Sequence, residues 1–141
     1  MNIALGCDHA GFVLKKEVEK WLVCSGHAVQ DLGCYSEDPV DYPDVADQVC
    51  AEIEAGRSER GILICGTGLG MSMAANRHRC IRAALCHEPF SARMSRQHNN
   101  ANILCLGSRV LGVALALDVV SIWLESEFAG GRHQCRIAKM G

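Results

Sequence analysis

Gly61-Ile62-Leu63-Ile64-Cys65-Gly66-Thr67-Gly68-Leu69-Gly70 is the stretch from which the fold can be read. Gly61–Ile64 is a continuous apolar run of the kind found in a strand covered on both faces. The glycine-rich turn Gly66–Gly70 follows at once, and a short helical segment runs from it through Ala75. Upstream, Asn2–Gly6 reads as a strand, and Leu14, Val18, Trp21 and Leu22 fall on one helical face that Gly26 ends. Ala28–Leu32 is extended, a loop holds Pro39 and Pro43, and Val45, Val49 and Ile53 mark a second helix with Pro43 in its first turn. Downstream, Ile81–Leu85 and Asn102–Leu106 read as strands on either side of a helix over Pro89–Gln97. A last long helix carries Val113, Ala116, Leu117, Val120 and Leu124 on one stripe.

Strands alternating with helices imply βαβ units. The expected fold is α/β: one domain over residues 1–141, built as a doubly wound, Rossmann-like five-stranded parallel sheet with helices on both faces. Ligands of such sheets bind outside the carboxyl ends of the strands. Loops that leave strands are therefore the candidates for chemistry.

Composition narrows the function classes. The chain has 141 residues, 14 Lys+Arg against 16 Asp+Glu and a net charge of −2. That balance carries no electrostatic footprint for nucleic acid or an anionic membrane. Apolar residues at 49% and charged ones at 21% exclude a disordered chain. The greasiest stretch, Val110–Leu117, is far short of the roughly 20 residues that cross a bilayer. Asn2–Gly6 follows the first residue without a basic leader. Nine cysteines, an odd count with no Cys-x-x-Cys pair, read as reduced thiols of a cytoplasmic protein.

Two loops leave strands with glycines: Gly6-Cys7-Asp8-His9-Ala10-Gly11 and Cys65–Gly70. Their backbone N–H groups can converge on an anion, aided by the helix that follows. The dinucleotide fingerprint is absent, because Met71 stands where its third glycine would fall, and no Lys follows as in a P-loop. A thiol at Cys65, beside a helix N-terminus, has its thiolate favoured. By spacing alone the plainer reading, a buried strand end like Cys105, is preferred, and Cys7 has a similar location. His98 suits proton transfer at neutral pH or simply caps a helix. Arg132 and Arg136 stand four apart and suit a phosphate or a solvated terminal helix. His27, His78 and His87 read as surface or structural residues.

Taken together the segments resemble the ribose-5-phosphate isomerase B family, within the wider group of galactose-6-phosphate and allose-6-phosphate isomerases. The resemblance is carried by Gly6-Cys7-Asp8-His9-Ala10-Gly11-Phe12, Asp41-Tyr42-Pro43, Gly61–Gly68 and Ala74-Ala75-Asn76. It continues through Glu88-Pro89-Phe90-Ser91-Ala92, Ser95-Arg96-Gln97-His98-Asn99, Gly107-Ser108-Arg109 and Gly130-Gly131-Arg132-His133. It implies an aldose–ketose isomerase of ribose 5-phosphate and ribulose 5-phosphate that needs no metal, nicotinamide or flavin. By matching position Cys65 would be the base and His98 would assist ring opening. Asp8, His9, Tyr42 and Asn99 would contact the sugar, and the backbone of Gly66, Thr67, Gly68, Leu69 and Gly70 the enediolate oxygens. Arg109, Arg132 and Arg136, with His9, would receive the phosphate. A second branch of the family places a glutamate base at the position of Met71; this chain falls on the cysteine branch.

Strand direction adds an expectation. His98 and Asn99 precede their strand, whereas Cys65 ends one, so the two groups belong at opposite sheet edges. The expected assembly is a homodimer with the active site at its interface, or a tetramer of two such dimers. The subunit that supplies Arg132 and Arg136 stays open. Competing readings are a hexose-6-phosphate isomerase, a non-catalytic small-ligand or nucleotide-binding module, and a thiol redox or metal protein, which the lack of Cys-x-x-Cys disfavours.

Overall fold

The computed structural model describes residues 1–140. Five strands alternate with helices: β1 (Asn2–Cys7), α1 (Phe12–Cys24), β2 (Ala28–Asp31), α2 (Tyr42–Glu54), β3 (Arg60–Cys65), α3 (Leu69–Ala75), β4 (Ala83–Leu85), α4 (Pro89–Gln97), β5 (Ile103–Gly107), α5 (Val113–Glu125) and α6 (Arg132–Ile137). A 3-10 turn over His9–Gly11 leads into α1. All pairings are parallel, in the order β2-β1-β3-β5-β4. The chain moves outward one way from β1 to β2 and the other way from β1 to β3. The topological switch therefore lies between β1 and β3, where a ligand crevice is expected.

Period-two alternation divides the core into two layers. Ile3, Leu5, Ile62, Ile64, Leu104 and Leu106 face Leu14, Val18 and Leu22 of α1 and Ala116, Val119, Val120 and Trp123 of α5. Ala4, Leu63, Ile103 and Cys105 face Val45, Val49 and Cys50 of α2 and Met71 and Ala75 of α3. The close seat of α2 depends on two missing side chains: a Cβ on Gly6 would lie 2.6 Å from a Val45 methyl, and one on Gly61 would lie 2.9 Å from a Val49 methyl. The fold expected from the sequence is thus the observed one, with shifted strand ends. The fourth strand starts at Ala83, not Ile81: Cys80 takes φ 67°, and the Arg82 N–H donates to the Asn102 side chain instead of a ladder partner. Val113, placed on the buried stripe of α5, is 42% exposed at the helix start.

Lys15 is the unexpected core residue. It shares the inward phase of Val18 and Leu22 and is fully buried. Its Nζ donates to Asp31 Oδ1 at 2.5 Å and to the Cys34 carbonyl at 2.6 Å, fastening α1 to the end of β2 and the loop that follows it. Lys15→Met should lower unfolding stability by about 2–4 kcal/mol, because the Asp31 carboxylate and a buried carbonyl lose their donor. The urea midpoint measures this, and a loss below about 0.5 kcal/mol would show the ammonium to be dispensable.

Candidate active site

The carboxyl edge of β1, β3 and β5 gathers one set of predicted residues. Asp8 is extended, and its Oδ1 accepts from the Ala10 and Gly11 N–H groups at 3.0 and 3.2 Å, which caps the turn before α1. The Asp8 N–H donates to the Ile64 carbonyl at 3.1 Å, stitching this loop to β3. A Cβ on Gly11 would stand 2.5 Å from that carbonyl oxygen, so the close approach requires glycine. His9 Nδ1 accepts from the Val40 N–H at 3.3 Å, which leaves Nε2 as the ring's donor. Tyr42 opens α2, and its ring lies over Gly70, where a Cβ would meet ring carbon at 2.7 Å.

Cys65 ends β3 with 5% of its surface exposed, and its Sγ accepts the Gly68 N–H at 3.1 Å. A thiolate accepts such a bond more strongly than a thiol. The Gly66–Gly70 turn is held from the β5 side: Ser108 N–H donates to the Cys65 carbonyl and Arg109 N–H to the Gly66 carbonyl, each at 2.9 Å. Gly68 has φ +77°, open to glycine without strain. Thr67 Oγ1 accepts the Leu69 N–H at 3.3 Å. The Arg109 guanidinium lies over Gly66, 3.3 Å from where a Cβ would be, so a cation shares this edge with the sulfur. Ser108, to which the sequence reading gave no role, donates from Oγ to the Ala10 carbonyl at 2.7 Å and braces the β1 loop against the β5 loop.

Four of the other buried thiols, Cys7, Cys50, Cys86 and Cys105, are poor bases. Burial, then Cys34, pushes Cys7 up to about 12; burial does the same to Cys50, also about 12, and raises Cys86 to about 11. Cys105 is raised further by complete burial. Cys7, which spacing left beside Cys65 as a candidate, is therefore disfavoured as a thiolate. Met71 is fully buried in the α2–α3 layer and serves packing. Among the described residues no cluster of three or more His, Cys, Asp or Glu could hold a metal.

The second set lies at the other edge. The Asn102 carbonyl accepts from the Gly61 N–H at the start of the β3–β5 ladder, whereas Cys65 pairs with Gly107 at its end. Four strand steps separate Gly61 from Cys65, about 13 Å. Arg96, 3% exposed, holds the turn between α4 and β5 by donating to Asn100 Oδ1 at 2.9 Å and the Ala101 carbonyl at 2.5 Å. Burial, then Arg60 and Arg82, lowers its guanidinium to about 10. This turn presents His98 and Asn99 to the surface. The Ala129 N–H donates to the Gln97 carbonyl at 3.0 Å, and Gly130 and Gly131, at φ 64° and 55°, turn the chain into α6. An open cavity of about 250 Å³ results, lined by His98, Asn99, His133, Arg136, Ile137 and Met140. Arg136 thus belongs with His98, and Arg132 acts on the same cluster through its charge on His133. Within one chain the structure brings together Asp8, His9, Tyr42, Cys65–Gly70 and Arg109, and separately His98, Asn99, Arg132 and Arg136.

The family described as Ribose/Galactose Isomerase matches residues 3–140. The chain is 51% identical to ribose-5-phosphate isomerase B of Escherichia coli (strain K12) over 136 residues, 96% of this chain and 91% of that protein. It is 42% identical to a D-erythrulose-4-phosphate isomerase of Pectobacterium atrosepticum over 145 residues, 100% of this chain and 93% of that one. The solved structure of Clostridium thermocellum ribose-5-phosphate isomerase B superposes with a TM-score of 0.99 at 51% identity, covering 100% of this chain and 95% of that one.

Proposed function

The chain belongs to the ribose/galactose isomerase family, and from that membership we propose that it interconverts ribose 5-phosphate and ribulose 5-phosphate by proton transfer through an enediolate. The observation that carries the assignment to particular residues is the Cys65 sulfur, facing a backbone amide and sharing its edge with Arg109. In this reading Cys65 takes the proton from C2 of the opened aldose and returns it to C1. Negative charge develops on two neighbouring oxygens, and the amides of Gly66–Gly70 stabilise it because they are already oriented. The phosphate, remote from the reacting carbons, is gripped by Arg109, Arg132 and Arg136 with His9, which orients C1 and C2. Asp8, Tyr42 and Asn99 contact the sugar hydroxyls. The reaction moves hydrogen within one molecule and needs no external oxidant, and in this reading the turn amides supply the oxyanion stabilisation that a metal could otherwise give.

His98 opens the furanose from a partner subunit. One chain keeps the two residue sets at opposite edges, so a complete site requires two copies, each giving Cys65 to one site and His98 to the other. Because Arg136 lines the His98 cavity, both tail arginines come with His98 in this assembly. The setting is cytoplasmic, in keeping with free thiols throughout the described chain. Among the described residues no helix is long and apolar enough to cross a membrane.

Two measurements test the reading together. Ribulose 5-phosphate should form from ribose 5-phosphate at the same rate with and without chelator. Alkylation of Cys65 should slow when either sugar phosphate is present; a rate indifferent to substrate would place the thiol outside the site. Turnover on four-, five- and six-carbon sugar phosphates ranks the substrates, and nucleotide binding without any turnover would favour a binding module instead.

A further inference from the structure

His133, which has no assigned part in the site, lies flat against His98: the ring centroids are 4.2 Å apart and the planes differ by 10°. We propose that His133 is a positioning residue that sets the plane of the His98 imidazole for ring opening, a proposal that rests on the reading of His98 given above. His98 stands at the C-terminus of α4, where its backbone N–H donates to the Met94 carbonyl at 2.8 Å. That bond fixes the backbone and leaves the exposed ring free to rotate about its two side-chain torsions. A flat neighbour restrains that rotation without occupying either ring nitrogen, so Nδ1 and Nε2 stay available to the sugar.

The chain builds this contact on purpose-shaped backbone. Ala129 hydrogen-bonds to Gln97 beside His98, and the positive-φ pair Gly130-Gly131 then turns α6 so that His133 is half-buried over the ring. Burial first, then His98, Arg132 and Arg136, hold His133 below the ordinary histidine range. Near neutral pH it faces His98 as an uncharged ring and adds no repulsion to a proton held there. Ring opening needs that single proton in the right place: the anomeric hydroxyl gives up its proton, the C1–O4 bond breaks, and O4 takes a proton to become a hydroxyl. One oriented imidazole can serve both oxygens in turn, and a rotating one misses them.

The test compares His133→Ala with His133→Phe on two substrates. Ribose 5-phosphate must open its ring, whereas D-erythrose 4-phosphate, with O4 phosphorylated, has no hydroxyl that can close a five-membered ring. His133→Ala should lower kcat on ribose 5-phosphate roughly 10- to 100-fold with little change in KM, since Arg132 and Arg136 remain. His133→Phe should recover much of that loss, and turnover of the acyclic substrate should be spared in both. Equal losses on the two substrates, a phenylalanine variant as slow as the alanine one, or no loss would each overturn the proposal. The stack is also read without turnover, from the His98 ring-proton NMR shifts. Removal of the His133 ring should move them, and shifts that stay put overturn the stack. An intact stack in a chain that never turns over ribose 5-phosphate would instead overturn the reading on which it rests.

Discussion

Cys65→Ala should lower kcat for ribose 5-phosphate by about 10²- to 10⁴-fold, the range that a positioned acid–base group supplies. At the upper end this is roughly 5 kcal/mol of transition-state stabilisation. The fold should survive, because only one sulfur atom is removed and the turn around it is held by backbone bonds from Ser108 and Arg109. KM should change little, since the phosphate grip lies on other side chains. The same variant should stop exchange of the C2 hydrogen with solvent deuterium, which isolates the proton transfer from ring opening. Retention of full activity, or of C2 exchange, in a folded Cys65→Ala protein would remove the assigned base. Cys7→Ala offers the contrast: that thiol is held near 12 by burial and should be replaceable without loss of proton transfer.

The second large effect is a recovery. Cys65→Ala and His98→Ala proteins should each be nearly inactive alone. Dimers that combine one subunit of each should regain activity, because one of their two sites then joins an intact Cys65 to an intact His98. Random exchange places half of the subunit pairs in such mixed dimers, with one working site of two, so the mixture should reach about a quarter of wild-type activity. Differently tagged subunits allow the mixed dimer to be purified, where about half is expected. A purified mixed dimer as inactive as its parents would show that both residues act within one chain, contrary to the separation of the two sheet edges.

Much of this site is legible in the residues because strand direction is. An apolar run followed by glycine marks the end of a parallel strand, and Cys65 and Asp8 both occupy such ends. His98 and Asn99 come before a strand, and that alone places them on the other edge. The start of the fourth strand is harder to read, since the backbone at Arg82 is claimed by the Asn102 side chain, twenty residues away. Lys15 and Lys16 are chemically alike, and only helical phase together with the packed sheet puts the first of them inside. The spacing of cysteines does not tell Cys65 from Cys7 or Cys105; the fold does, by setting the Gly68 amide against the Cys65 sulfur and enclosing the other two thiols completely.

By itself the sequence determined the alternation of strands and helices, the sheet edge to which each motif belongs, and the chemistry that its side chains carry. These follow from local periodicity and chain direction, which are properties of neighbouring residues. Only the tertiary structure decided that Gly68 aims its amide at the Cys65 sulfur, that Arg136 keeps company with His98, and that His133 lies flat on that ring. The first contact is made inside one tight turn and the other two join segments more than thirty residues apart; all three depend on the turns at Gly68 and Gly130-Gly131 and on packing, for which periodicity carries no signal.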